Sequence, residues 1–426
     1  MNPVFVKQSH KIKVAKGSGS CYRTSMTKWV KTDELERVNT RNVLKAIELE
    51  KGLSRAQVAR RLGLSRTTIS TIVSKLISLG FVTEGQSKAK GRGRPGIHLS
   101  LTRERWHAIG AEFHSKKWVA VVTDLEGRIL KILENPVRKE DVDSFLLGLN
   151  ETIRKILKDL PGPMLPAIGV GAPGLVDCDN GVILRADDFG WRQVEVRKYL
   201  EEELRLKTFV LNRHRGGGLA EARFGVGRKV HNLVYIGIGT GISAALISDG
   251  ILIHGANYSA GEIGHMIVEP GGDLCGCGKR GCLQALASGS ALVRMAKEAL
   301  QRGEASSLRE SMEGEGGELS GEQICREAAR GDSLSLQCVG QAAKYLGIAV
   351  ANIINTFNPD MVIIGGPVGQ TGDPLVHMIR EEAMRWAMEH PFSATQIVRG
   401  VLGETAGALG AACLVLDRKL ELVCAE

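Results

Sequence analysis

SRAQVARRLGLSRTTISTIVSKLISLGFVTEGQSKAKGRGRPG, residues 54–96, writes out two helices, the turn between them and a basic loop. Ser54 followed by Gln57 is a capping box, so a helix starts there. It carries Val58, Ala59 and Leu62 inward and stops at Gly63. Ser65 caps a second helix. Its apolar residues Ile69, Ile72, Val73, Leu76 and Ile77 recur at i, i+3, i+4, i+7 and i+8, which is one buried stripe. The other face carries Arg66, Thr67, Thr68, Ser70, Thr71 and Ser74, short donors and acceptors that can reach base edges in a major groove. Helix, glycine turn and helix at this spacing predict a helix-turn-helix with the second helix as reader. Gly80 ends that helix, and Phe81-Val82 and Ile97-His98-Leu99 read as two returning strands. The loop between them, with Lys88, Lys90, Arg92 and Arg94, makes the motif winged. Arg92 and Arg94 flank a glycine, which suits a narrow, electronegative minor groove. A solvated basic loop would carry the same charge; its place beside a reading helix decides for DNA.

Charge follows the same division. Residues 1–105 hold 22 Lys and Arg against 7 Asp and Glu, and the remaining 321 hold 34 against 40. A basic head on a mildly acidic body implies that the head alone meets an anionic polymer. A membrane surface is the competing anion, but no apolar basic helix is present to lie on one, and no run of 18 apolar residues would span one. Residues 1–31 lack the apolar core of a secretory signal. Nine cysteines, three of them within Cys275–Cys282, point to a reducing cytoplasm and a metal site rather than a disulfide framework.

Working outward, residues 1–38 are expected to be a flexible basic tail and 39–101 the winged helix-turn-helix, with a first helix through Val43, Leu44 and Ile47. Thr102–Trp106 is the joint, and 107–420 the body. The body repeats itself. AIGAEF, HSKKW and VAVVTDLEGRILKI return as LVYIGI, GTG and ISAALISDGILI: strand, turn, strand, acidic-Gly turn, strand. Helices are expected at Val142–Leu157, Gly289–Arg302, Leu336–Thr356, Pro374–Met388 and Thr405–Asp417, and buried strands at Ile168–Gly174 and Met361–Ile364. Two similar α/β halves predict two lobes with a ligand cleft between them.

His265, Cys275, Cys277 and Cys282 crowd one glycine-rich segment, EIGHMIVEPGGDLCGCGKRGCLQ. Three thiolates and one imidazole suit a closed tetrahedral zinc site, structural because no ligand position is left open. Reduced core cysteines, the bland reading, need neither the histidine nor the glycines. The metal loop, 262–284, should also carry Glu262 and His265 into the cleft.

IGVGAPGLVDCDNGVI, GTGISAALISDG, GANYSAGEIGHM, CGCGKRGCL and NIINTFNPDMVIIGG resemble the ROK family of repressors and sugar kinases, and the basic winged head is similar to its xylose- and N-acetylglucosamine-repressor branch. The resemblance implies an actin-like ATPase/sugar-kinase fold, zinc on the four residues above, and a homodimer or a dimer of dimers. It also implies sugar hydroxyls on Glu262 and His265, close sugar approach at Gly174, and Asn212 and Gln284 at further sugar positions, Gln284 standing where the family has an acid. The family's catalytic Asp position holds Arg213, which stays protonated and cannot serve as a base. His214, one residue off register, is a poor substitute. The first phosphate turn, Glu112 to Trp118, has neither the glycines nor the Asp of the family pattern, while Gly239-Thr240-Gly241 keeps it and Gly365-Gly366-Pro367 keeps it in part. Phosphoryl transfer is therefore expected to be lost. The cleft is expected to bind an acidic ligand, such as a sugar phosphate or uronate, through Arg213, or nothing, leaving the body to dimerise. The whole reads as a cytoplasmic, sequence-specific repressor of carbohydrate genes on a double-stranded operator; the rival is a sugar kinase with an extra DNA-binding head.

Overall fold

A computed structural model describes residues 32–86, 97–114, 117–137, 141–313 and 318–424. The chain divides into two compact units between Arg103 and Glu104.

The head contains α1 (Thr32–Leu49), α2 (Arg55–Leu62), α3 (Arg66–Ser78) and the antiparallel strands β1 (Val82–Gln86) and β2 (Ile97–Leu101). The Ser54–Gln57 capping box forms in both directions, Gly63 closes α2 at φ +66, and Ser65 caps α3. Ile69, Ile72, Val73 and Leu76 are buried on the predicted stripe, as are Val43, Leu44 and Ile47 of α1 and Val58 of α2. The helix α1 begins inside the stretch expected to be a tail. Lys75 of α3 reaches Glu36 at 2.8 Å and anchors the extra turn, holding the Glu36 carboxyl below its ordinary range by hydrogen bonding and charge. Arg55 joins three elements: its Nε meets Glu84 of β1 at 2.7 Å and its Nη1 donates to the Ser70 carbonyl of α3 at 3.1 Å.

The body opens with the meander β3 (His107–His114), β4 (Lys117–Thr123) and β5 (Ile129–Pro136). There follow α4 (Val142–Lys158), β6 (Met164–Ala172), the small sheet β7 (Leu175–Asp177), β8 (Val182–Ala186) and β9 (Trp191–Val194), then α5 (Val196–Leu204), β10 (Lys207–Asn212) and α6 (Arg213–Phe224). The second half has β11 (Leu233–Ile238), β12 (Ile242–Ser248) and β13 (Ile251–Leu252). After the metal loop come α7 (Leu283–Ala287), α8 (Gly289–Gln301), α9 (Leu308–Glu313), α10 (Gly321–Ala329), α11 (Ser333–Phe357), β14 (Met361–Gly365) and α12 (Gly366–Gly369). The chain closes with α13 (Asp373–Trp386), α14 (Glu389–Ala394), β15 (Gln396–Arg399), α15 (Ala406–Asp417) and α16 (Lys419–Val423), the last running past the expected boundary at 420.

The repeat in sequence is a repeat in topology. One sheet has the order β10-β6-β3-β4-β5 and the other β15-β14-β11-β12-β13; in each, an antiparallel meander continues into two parallel strands. The helices α6 and α15 pack on each other, α6 against β11 and β12 and α15 against β3 and β6. Small residues permit this: a Cβ on Gly410 would overlap the Gly216 carbonyl, and one on Gly169 the Ala411 carbonyl. α11 starts earlier than expected because Asp332 caps it. Against the cost of burial, hydrogen bonds from Ser335, Ser307 and Ser306 bring its carboxyl down to about 2. In the first lobe Phe113, Trp118, Phe145, Phe189 and Trp191 form one aromatic cluster with ring centroids 4.7–5.7 Å apart. That cluster fixes the end of β3 to the turn at Phe189, which faces the cleft.

Candidate functional site

Between the lobes lies a cavity of about 250 Å³, walled by Gly174, Asp188, Asn212, Glu262 and Gln284 among others. That is at or below the ~300–1,000 Å³ of pockets for drug-sized ligands, and matches something the size of one monosaccharide.

Asn212 caps α6. Its Oδ1 accepts from the His214 and Arg215 amides at 3.0 and 3.1 Å and from Ser243 Oγ at 3.3 Å, while Nδ2 donates to the Gly174 carbonyl at 2.8 Å. It therefore ties the two lobes together as well as lining the cleft. Gly174, expected to admit a ligand close to backbone, is needed for another reason. It sits at φ +73, and a Cβ there would meet Arg185 and Ala186 of β8 rather than the cavity.

Three cationic or basic side chains follow Asn212, and each is engaged by the protein. Arg213 is 6% exposed. Its Nη1 donates to the Phe113 carbonyl at 3.0 Å and its Nη2 to Thr240 Oγ1 at 3.2 Å. Its guanidinium therefore bridges the end of β3, which leads into the first turn of phosphate type, to the Gly239-Thr240-Gly241 turn. Arg213 also lines the cavity, so two of its five N–H donors are engaged between the two turns while the residue still borders the cleft. His214 packs its ring where a side chain on Gly237 would otherwise lie; burial, then the charges of Arg213 and His114, hold its pKa well below the imidazole range. Arg215 donates to the Tyr258 carbonyl at 2.7 Å, the Ile253 carbonyl at 3.2 Å and His254 Nδ1 at 3.0 Å, clamping the loop that leads to Glu262. Burial raises the Glu262 pKa, opposed by the Arg215 charge.

Residues 115–116 of the first turn lie outside the described residues; the residues on either side of them are engaged by the protein. Glu112 is buried with its carboxylate where a Cβ on Gly407 would fall, His114 Nε2 lies 3.4 Å from it, and Lys117 pairs with Glu134 at 2.9 Å and Glu404 at 2.7 Å. Beyond the turn Tyr235 is buried: its oxygen accepts from the Gly366 amide at 2.9 Å, and burial pushes its pKa above the phenol range.

His265, Cys275, Cys277 and Cys282 come together, their ligand atoms all within 4.8 Å of one another. Cys277 Sγ and Cys282 Sγ are 3.7 Å apart, and His265 Nδ1 is 3.7 Å from Cys275 Sγ. Gly278 and Gly281 at φ +88 and +75 make the turns. With Nδ1 facing the thiols, Nε2 is the ring nitrogen left for the cleft.

Sequence reading missed the Asp187–Phe189 turn. Asp187 pairs with Arg185 and with Arg192, the latter at 2.9 Å. Asp188 Oδ1 accepts from Gln284 Nε2 at 3.3 Å, and Gln284 Oε1 accepts from the Ile242 amide at 3.3 Å. Two acids before an aromatic and a glycine were the available signal; Gly190 closes the turn at φ +69.

On α3, Arg66, Thr67 and Thr71 are exposed, whereas Thr68 and Ser70 are half-buried. The Thr68 hydroxyl lies 2.8 Å from Ser65 Oγ, and Thr71 donates back to the Thr67 carbonyl at 3.2 Å. Arg92 and Arg94 lie outside the described residues. No helix among the described residues is long and apolar enough to cross a membrane.

The model of the ROK family matches residues 108–418, and a winged helix-turn-helix DNA-binding model matches 37–83. The xylose repressor of Caldicellulosiruptor bescii is 30% identical over 392 residues, spanning 91% of this chain and 97% of its own. A glucokinase of Halalkalibacterium halodurans is 32% identical over 325 residues, spanning 74% of this chain and 96% of its own. Among solved structures, a ROK family transcriptional regulator homologous to the Mlc protein of Escherichia coli superposes with a TM-score of 0.79 at 27% identity, covering 92% of this chain and 100% of the other. With a winged DNA-binding head and a duplicated two-lobed body matched along most of its length, the chain belongs to the ROK family.

Proposed function

We propose that the protein is a DNA-binding transcriptional repressor of carbohydrate genes whose ROK body senses a small sugar and does not phosphorylate it. The observation that carries this is the pairing of a winged helix-turn-helix model match with a ROK body in a chain that aligns over 91% of its length with a xylose repressor. Arg66, Thr67 and Thr71 read bases in the major groove, Thr68 and Ser70 support that helix, and Arg92 and Arg94 of the wing enter the minor groove. Two heads on a homodimer, or on a dimer of dimers, read a pseudo-palindromic operator. Release by a ligand requires that it favour one head spacing over another by about 1–3 kcal/mol. The DNA partner puts its place of action in the cytoplasm.

Loss of kinase chemistry rests on Arg213. A protonated guanidinium stands at the position of the base and fills the gap between the turns that would hold phosphates. The glucokinase relative is as similar over the body, so the enzyme reading needs a direct test.

The metal is zinc. A tetrahedron of thiolates around zinc, with bonds of about 2.3 Å, has edges of about 3.8 Å, and the 3.7 Å sulfur separation fits that edge. Four protein ligands close the shell, so zinc braces the loop between Glu262 and Gln284 and supplies no chemistry to a substrate.

The test has two arms. Gel shifts with genomic fragments should show sequence-specific binding weakened by one sugar of a panel, and a coupled assay with ATP, magnesium and hexoses should show no turnover. Turnover above background together with no DNA binding would reverse the assignment.

A further inference from the structure

We infer that Arg55 and Glu84 are a positioning pair that fixes the β1–β2 ribbon against the reading helix α3, so that an acid in the DNA-facing head strengthens recognition of the preferred site. The inference rests on the DNA-reading function above and names two residues that give that reading its geometry.

Charge singles out Glu84. From Lys51 to Arg103 the chain holds eleven Lys and Arg, and Glu84 is the single acid. An acid on a surface that meets phosphates costs affinity by repulsion. The fold does not hide it, since its side chain is 32% exposed. Arg55 is placed as unusually. It opens α2, where the aligned peptide dipoles disfavour a cation, and no acid stands in the first turn of that helix to offset it.

Each residue accounts for the other. Arg55 Nε donates to Glu84 Oε1 at 2.7 Å, while Nη1 donates to the Ser70 carbonyl at 3.1 Å and to Ser74 Oγ at 3.4 Å. Ser70 and Ser74 follow Thr67 and Thr71 at helical spacing, so the guanidinium lies along the face of α3 that carries the readers. One planar fork therefore joins α2, α3 and β1, a geometry that a lysine ammonium does not reproduce. The ribbon has a second tie on its other strand, where the Leu99 amide of β2 donates to the Leu53 carbonyl at 2.8 Å. That bond reaches the turn before α2, whereas Arg55 reaches the reading helix itself. An exposed ion pair adds little to stability. Its effect here is on orientation: a ribbon released from α3 has to be ordered again on binding, which lowers affinity by about two- to tenfold.

The test is equilibrium binding of the full-length protein to a duplex carrying the site it selects from a random-sequence library, and to a scrambled duplex of equal length. Glu84→Ala should weaken the selected duplex by about two- to tenfold and leave the scrambled one as tight or tighter, because a repelling charge is gone. Arg55→Ala should weaken the selected duplex by a similar factor, with the salt slope on the scrambled duplex unchanged. The double variant should bind the selected duplex no worse than Arg55→Ala alone. Three results overturn the inference and leave DNA reading standing: Glu84→Ala tightening both duplexes alike, a slope flatter by about one unit in Arg55→Ala, as a direct phosphate contact would give, or losses that multiply in the double variant. Loss of both duplexes together in either single variant overturns it as well, since the pair would then hold the fold of the head and not its geometry. A wild type that selects no site removes the DNA-reading function, and this inference with it.

Discussion

Gln284 is the side chain on which the cleft geometry can be tested most simply, by Gln284→Glu. The change keeps size and shape, and the oxygen that accepts from the Ile242 amide can stay in place. The other end becomes a carboxylate oxygen facing Asp188 Oδ1 across 3.3 Å. Two unit charges at that distance repel by about 1.3 kcal/mol in a water-like dielectric and about 5 kcal/mol at an effective value of 20. Asp188 is exposed, so the lower figure applies, about 1 kcal/mol after screening by salt. The lost amide–carboxylate hydrogen bond adds about 1 kcal/mol. The sum, about 2 kcal/mol, divided by an unfolding entropy of ~0.7 kcal/mol/K for a body of this length, lowers the melting temperature by about 3 °C at pH 7. The pH dependence identifies the cause. In the variant one proton can be shared between the two carboxyls, so the folded state holds it more tightly than the unfolded chain. The deficit is therefore complete at pH 7 and shrinks as pH falls through ~5, where one proton comes to be held between the two carboxyls. Melting temperatures of variant and wild type from pH 4 to 8 decide it. A deficit that does not change with pH, or none at all, would show that Gln284 and Asp188 do not meet across the cleft.

The buried, neutral His214 predicts the opposite slope. The unfolded chain takes up a proton below pH ~6.5 and the folded one does not, so stability falls by up to ~1.4 kcal/mol per pH unit below that point. Urea midpoints at pH 7.5, 6.5 and 5.5 should show His214→Asn flatter than wild type. Gly410→Ala forces a Cβ into the Gly216 carbonyl and should cost about 1–3 kcal/mol or more, read as a lower midpoint or as insoluble protein. Purified protein should carry one zinc per chain by elemental analysis. Cys282→Ser should lose it and expose the 262–284 segment to protease, while a wild type without metal would contradict the assignment. On DNA, Arg66→Ala should relax base preference by about 1–3 kcal/mol at one operator position. Arg92→Ala with Arg94→Ala should instead weaken every sequence and flatten the salt dependence by roughly one unit per lost phosphate contact.

What the sequence made legible and what it concealed divide by separation along the chain. The stripe on α3, the Ser54–Gln57 box and the cysteine cluster are short-range patterns, where chemistry at one spacing has one geometric outcome. The duplicated meander was visible because strand and turn residues recur locally in both halves, and the final sheet orders follow from it. The same reading could place Arg213 at the position of a base, yet not say where its guanidinium points. Its partners, Phe113 and Thr240, lie 100 and 27 residues away, and the choice between a ligand and the protein's own carbonyl is made by packing. Asp188 and Gln284, 96 residues apart, were invisible as a pair for the same reason. The early start of α1 likewise depends on Glu36 reaching Lys75 across 39 residues. In each case one charge, unpaired in the local sequence, finds its partner only after the chain has folded. Cationic residues in a motif therefore do not by themselves imply an anionic ligand. Here the Arg213 guanidinium bridges the end of β3 to the Gly239-Thr240-Gly241 turn, an arrangement set by packing and not readable from the motif.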